Sequence, residues 1–337
     1  MGTMPTPDLT TGPSRTPETS RQLLDAIAQI DRDADPAQIA AEHRIPTTTL
    51  LSAVETYHEA GRAAVETATA TETWLQTHVE FTTWDQARRY AADELAPELD
   101  NLCATGFARR WWFIRKHPRW RIRVQAASPE HRPELAARLD RIWADHTDAG
   151  AISAWQPTVY EPETLAFGGT SGMRVAHELF SADSRTVLDH LTRTDPPLGL
   201  RETSILLCTR LLHAANLEWF EMGDVWHRVA RLRSVPAEIP PERLEALAKD
   251  IKPLLSIGTG PHAELFADRS PLHPYARWAA AFADAGVTLR TVADAGDLQR
   301  GLRSVLAYHV IFHWNRIGLS AQQQTLLAHA AKAAIFE

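Results

Sequence analysis

The chain of 337 residues has only two cysteines, Cys103 and Cys208, and no CxxC pair. That excludes a thiolate zinc cage and a disulfide framework, and it suits a reducing cytoplasm. No uninterrupted apolar stretch approaches bilayer-spanning length, and the start, MGTMPTPDLTTGPSRTPETS, is polar and rich in Pro and Thr where a secretory signal needs a hydrophobic stretch. Residues 1–18 are expected to be a disordered tail. An excess of positive charge is also missing: the formal net charge is −7, so no global field would hold the protein on nucleic acid. There is no Walker phosphate loop, no GxGxxG dinucleotide turn, no GxSxG elbow and no internal repeat. The expectation is a cytoplasmic protein with no cofactor, no DNA partner and no membrane partner.

What remains is ordinary globular material, 44% hydrophobic and 23% charged, enough for one large or two medium cores. Residues 19–67 show a helical pattern in three pieces, with Pro36 and Pro46 at helix starts, where a missing N–H costs nothing. The short second piece followed by TTTLLSAVETY resembles a helix-turn-helix whose second helix begins near Thr47. Between Arg21 and Glu66, however, four Arg stand against eight Asp or Glu, and Glu55 and Glu59 fall on that helix. A docking module for peptide or for the main domain fits this charge better than a DNA reader. From Trp74 the texture changes to WLQTHVEFTTW, the first strand of a body spanning 74–337. A helix at about Asp85 to Cys103, a basic strand pair, an amphipathic helix ending at Gly150 and the strand SAWQPTVYEPE follow. After Gly168 and Gly169 come three helical segments, a Pro-rich link and a last pair from about Ala295 to Phe336. Strands early and helices late predict an α+β fold: a mainly antiparallel sheet covered by C-terminal helices, preceded by a small all-α module.

Between Arg109 and Arg123, seven basic side chains and no acidic one share a segment with Trp111, Trp112, Phe113 and Trp120. Trp120, Ile122 and Val124 alternate with Arg119, Arg121 and Arg123, so a period of two predicts a strand with three guanidinium groups on one face. Like charges about 7 Å apart repel, and carboxylates, phosphates or a polyanion would neutralise them. A solvated face, or pairing with surface Asp and Glu, explains the same pattern; the interleaved tryptophans favour a ligand.

Three other groups could carry chemistry. YEPETLAFGG sets Tyr160, Glu161 and Glu163 at a strand end before a glycine pair that permits close backbone approach, although a solvated polar turn reads the same way. GTSGMRVAHELFSADS brings His177 and Asp183 within two helical turns, without the second histidine of an HExxH metal site; a satisfied, partly buried His177 is the plainer account. AYHVIFHWNRIGLS puts His309 and His313 four apart on one helical face, with Asn315 and Arg316 at its end. No third ligand stands at a telling distance, so no metal is expected and His313 reads as a proton shuttle or hydrogen-bond donor.

Taken together, WWFIRKHPRWRIR, YEPETLAFGG, AHELFSADS and HWNRIGLS, in this order, resemble the thiopeptide-type bacteriocin biosynthesis proteins. That family is related to the glutamate-elimination domain of lantibiotic dehydratases. The resemblance runs from about Trp74 to the C-terminus and implies an enzyme that tailors a ribosomally made, leader-bearing precursor peptide beside other enzymes of its cluster, with a homodimer left open. Family members either eliminate glutamate from glutamylated Ser or Thr, or join two dehydroalanines in a formal 4+2 cycloaddition that yields a pyridine after loss of water and leader. The resemblance implies catalytic roles for Arg121, Arg123, Glu163 and His313. It implies substrate contacts for Arg115, Trp112, Tyr160, His177, Asn315 and Arg316. One position departs: elimination domains read E-x-x-R-Y-G-G, whereas Ala166 stands here in place of the arginine. A methyl group can neither bind a carboxylate nor stabilise an enolate, which favours the cyclase branch. An eliminating subunit served by a separate glutamylating enzyme is one alternative, and a noncatalytic leader-binding partner is another. Replacing His313 or Arg121 with Ala is expected to cut turnover far more than it lowers the melting temperature; a fully active variant would remove that residue from the mechanism.

Overall fold

The computed structural model describes residues 17–233, 240–258 and 264–337. It divides into two compact units, one up to Ala68 and one from Thr69. The first contains α1 (Pro17–Ile30), α2 (Pro36–Glu42) and most of α3 (Thr47–Glu72). Asp35 caps α2 by accepting from the Ala37 N–H at 3.2 Å, and Pro36 takes the first helical position. Ala26, Ile27, Ile39, Ala40 and Leu50 make a small core, and His58 meets Asp31 at 2.6 Å. The expected tail lies outside the described residues, except for Pro17 and Glu18, which open α1.

In the second unit, β1 (Trp74–Phe81), β2 (Ala108–Lys116), β3 (Arg119–Ala126) and β4 (Ile152–Thr158) form an antiparallel sheet of order β2-β3-β1-β4. Between β1 and β2 runs a helical segment of α4 (Ala87–Tyr90), a π turn at Ala91–Leu95 and α5 (Ala96–Ala104). Pro97, second in α5, has no N–H to donate and its ring crowds the turn before it, which widens. The alternation read from the sequence is realised. Trp111, Phe113, Trp120 and Ile122 face Ala91, Leu95, Ala96 and Leu99 of that segment. The opposite face carries cross-strand rows: Trp112, Arg123, Gln76 and Thr158, and beside it Ile114, Arg121, His78 and Gln156. Helix α6 (Arg132–Asp148) buries Leu135, Leu139 and Trp143 beside β1 and β4.

Seven helices complete the described residues: α7 (Thr170–Thr192), α8 (Leu200–Ala214), α9 (Trp219–Arg231), α10 (Pro241–Ser256), α11 (Ala276–Asp294), α12 (Leu302–Ile317) and α13 (Ala321–Phe336). Helices α7 and α12 meet the sheet along β2, an edge strand whose outer polar groups need partners. The Phe113 N–H donates to Ser184 Oγ at 3.1 Å, and the Phe113 carbonyl accepts from Arg316 Nε at 3.2 Å. Two sequence expectations are corrected here. The Pro-rich link holds α10 and α11, because Pro241 sits in a first turn where proline is tolerated; residues 234–239 and 259–263 of that link lie outside the described residues. Strand β4 ends at Thr158, so Tyr160, Glu161 and Glu163 belong to the irregular segment after it. Among the described residues no helix is long and apolar enough to cross a membrane.

Helix α12 ends at Gly318 in the left-handed region, with φ of 80°. A Cβ there would also collide with the guanidinium of Arg115, which donates to the Ile317 carbonyl at 3.0 Å. Gly318→Ala is expected to cost about 1–3 kcal/mol, read as a lower urea midpoint; an unchanged midpoint would reject this close approach.

Candidate functional site

The arginine ladder of β3 has three different fates. Arg119 pairs at the surface with Glu80 at 3.1 Å. Arg121, half-buried, has no carboxylate within ion-pair distance among the described residues. Arg123 is 2% exposed and donates from Nε to Gln76 at 2.6 Å, its Cζ lying 4.1 Å from the Trp112 ring and 4.9 Å from that of Tyr160. Burial lowers the Arg123 guanidinium to about 10, against the pull of Tyr160 and Glu163, which leaves it charged at neutral pH. Burial and then Arg121 likewise push His78 and Lys116 below their ordinary values. Excess positive charge therefore gathers on this face.

The segment after β4 covers the inner end of the ladder. Tyr160 is buried, and its hydroxyl lies 2.8 Å from His177 Nε2. Trp74 packs 4.6 Å from the His177 ring and 5.4 Å from Tyr160. Burial, reinforced by Arg110 and Arg123, takes His177 down to about 3; burial also raises the Tyr160 phenol despite Arg123. At neutral pH Tyr160 therefore donates and an uncharged His177 accepts. Glu163 lies close enough to bear on Arg123, Tyr160 and Lys116, and its Oε2 is buried without a hydrogen-bond partner among the described residues.

A second group centres on Asp183, which is fully buried on α7. Its carboxylate accepts from Trp278 Nε1 at 2.8 Å, meets His313 Nδ1 at 2.9 and 3.0 Å, and pairs with Arg316 Nη1. Burial alone would raise Asp183, but the charges of His313 and Arg316 outweigh it and hold the carboxyl below its ordinary value. The two groups meet at Trp112, whose ring lies 5.9 Å from Arg316 Cζ on one hand and 4.1 Å from Arg123 Cζ on the other. Arg123 Nη1, Arg316 Nη2 and Trp112 Nε1 are all buried without a partner among the described residues. A buried donor left unmet costs about 1–3 kcal/mol.

Of the residues singled out from sequence, the fold brings together Arg121, Arg123, Trp112, Tyr160, His177 and Glu163, with Arg316 at the edge of the cluster. His313 joins only through Asp183: it is 2% exposed, and its ring packs against Trp278 and Phe282 at 5.9 and 5.1 Å. Two residues stand apart. Arg115 lies on the opposite sheet face, over Trp84 and Trp120, and holds the end of α12; Asn315 accepts from Gln324 at 3.1 Å and serves the α12–α13 junction. Both were read as substrate contacts because motif proximity carries no information about which face a side chain leaves. His309 packs against Phe167 at 4.9 Å, and among the described residues no group of three or more His, Cys, Asp or Glu could hold a metal. Sequence reasoning missed Gln76, His78 and the role of Asp183. For Asp183 a signal existed, since an acid on the apolar stripe of Ala176, Leu179, Phe180 and Val187 needs buried counter-charges.

Fold and site together define an α+β protein in which a strand arginine and a helix arginine meet at a buried tryptophan. The chain belongs to the lantibiotic biosynthesis dehydratase C-terminal family, whose sequence profile matches residues 74–335. MibB, a tRNA-dependent lantibiotic dehydratase from Microbispora sp. 107891, is similar in structure with a TM-score of 0.58 at 20% identity, over 78% of this chain and 28% of MibB. The chain thus spans less than a third of MibB. TsrL is similar with a TM-score of 0.55 at 19% identity, over 78% of this chain and 94% of TsrL. TbtD, a pyridine synthase from thiomuracin biosynthesis, gives 0.50 at 15% identity, over 78% of this chain and 97% of TbtD. No curated protein matches the sequence.

Burial lowers both His177 and His309 to about 3. The unfolded chain titrates near the ordinary histidine value of about 6.5, so between these values it binds more protons and stability falls as pH drops. His309→Leu is expected to flatten that decline, measured as urea midpoints at about pH 7 and about pH 4; an unchanged slope would show that His309 is not neutral in the folded state.

Proposed function

We propose that this protein tailors a dehydrated, leader-bearing precursor peptide, joining two dehydroamino acids in a formal 4+2 cycloaddition that gives a pyridine macrocycle with loss of the leader. The observation that carries this reading is Ala166: at the turn where glutamate elimination calls for a guanidinium, this chain offers a methyl group beside Glu163. The likeness to TbtD, a pyridine synthase, over 97% of that chain supports the same branch. Val159 and Leu165, each 80% exposed next to Tyr160 and Glu163, give the rim an apolar character suited to a flat, azole-rich peptide.

The chemistry asked of the chain is modest. It must hold an azadiene and a dienophile in a near-attack geometry, an entropic contribution of up to about 7–11 kcal/mol in favourable cases. Arg121, with no carboxylate partner among the described residues, orients a peptide carbonyl, and the hydrogen bond between Tyr160 and His177 fixes the wall of the site beside Arg123. Glu163 and Arg123 complete the catalytic set, and His313 acts on it through Asp183 and Arg316. Enzymes that dehydrate the precursor must act before it in a shared cytoplasm. A glutamate-eliminating subunit is the second reading, favoured by that same unpaired Arg121.

Incubation with a leader-bearing peptide containing two dehydroalanines, followed by mass spectrometry, is expected to give intact leader and a macrocycle. Unchanged peptide would overturn the cyclase. Free glutamate from a glutamylated peptide would establish the second reading in its place.

A further inference from the structure

The Arg316 guanidinium has three nitrogen atoms, of which two are committed. Nε donates to the Phe113 carbonyl and Nη1 to Asp183, while Nη2 is buried with no partner among the described residues. Its side chain is 1% exposed, and Cζ lies 4.8 Å from the Phe180 ring and 5.9 Å from that of Trp112. Arg123 Nη1 and the Trp112 indole N–H are unmet as well. Three unmet donors around Trp112 outnumber the one unmet carboxylate oxygen of the cluster, Glu163 Oε2, and an incoming carbonyl would make up the difference.

Asp183 does not fill that deficit, because Trp278, His313 and Arg316 already occupy its carboxylate. It fixes a direction instead. A planar guanidinium held at both Nε and Nη1 has no freedom left in where Nη2 points. His313 and Trp278 hold the carboxylate in turn, from α12 and α11.

We propose that Asp183 and His313 are positioning residues that set the free amino group of Arg316, together with Arg123, to bind a carbonyl or enolate oxygen of the peptide beside Trp112. Only the identity of the ligand rests on the peptide-tailoring reading; the positioning does not. The role differs from holding a free glutamyl carboxylate, because the acceptor is a backbone oxygen whose charge grows as the reaction proceeds.

Two measurements on the full chain test it. In side-chain 15N NMR, the Arg316 guanidinium protons, assigned by their loss in R316K, are expected to exchange slowly in the natural protein and to exchange fast in D183N. Should D183N not fold, H313N, which keeps the Asp–Arg pair, is expected to show a partial loss. Unchanged Arg316 signals in whichever variant folds overturn the positioning. With a dehydrated, leader-bearing peptide, R316K and D183N are expected to lose about 100-fold or more in kcat with KM nearly constant, and methylguanidine is expected to restore activity to folded R316A. A loss confined to KM, or the absence of rescue, overturns the oxygen-binding role. If the natural protein converts no peptide, the enzymatic reading fails alone, and the NMR result still decides the positioning.

Discussion

A carboxylate with no access to water governs the second unit. Burying an unpaired charge is costly enough that an isolated Asp183 would take up a proton. It stays ionised because His313 and Arg316 supply charge and Trp278 supplies a hydrogen bond. Those partners come from α11 and α12, Asp183 itself from α7, and Arg316 carries the network on to the backbone of β2 through Phe113. One charge thereby joins three helices and a sheet edge. Removing Asp183 or Arg316 leaves the other charge uncompensated, at about 3–5 kcal/mol.

The same network solves an edge-strand problem and creates a binding opportunity. β2 exposes N–H and C=O groups along its outer side, and Ser184 and Arg316 meet them at Phe113. Covering the edge this way brings Arg316 beside Trp112, whose other neighbour is Arg123 from the adjacent strand. Two guanidinium groups are thus tolerated in the interior, Arg316 against the carboxylate of Asp183 and Arg123 against the faces of Trp112 and Tyr160. What the aromatics cannot supply is a hydrogen-bond acceptor for every donor.

Much of this was legible in the sequence. Alternation of Trp120, Ile122 and Val124 with three arginines gave the strand and its two faces, since a period of two admits one partition. The C-terminal helices were less legible: the segment before the last pair read as a Pro-rich link, yet Pro241 opens α10 and Pro253 lies inside it. Arg115 and Arg123 show the limit more sharply. Both are arginines on neighbouring strands of one basic hairpin, but Arg115 leaves by the face of Trp120 and reaches the end of α12, and Arg123 leaves by the face of Gln76 and Trp112. No residue-type argument separates them without the register.

The sequence by itself determined the fold class and the family, because hydrophobic periodicity, charge clustering and short motifs are local properties that survive without coordinates. Only the tertiary structure decided which arginine is neutralised, which is enclosed and which has no carboxylate partner among the described residues. It alone decided that His313 reaches the cluster by way of Asp183, 130 residues earlier. The reason is physical: whether a charge is paired or buried depends on atoms brought together from distant segments, and the sign and size of that interaction follow from distance and dielectric, neither of which is written along the chain.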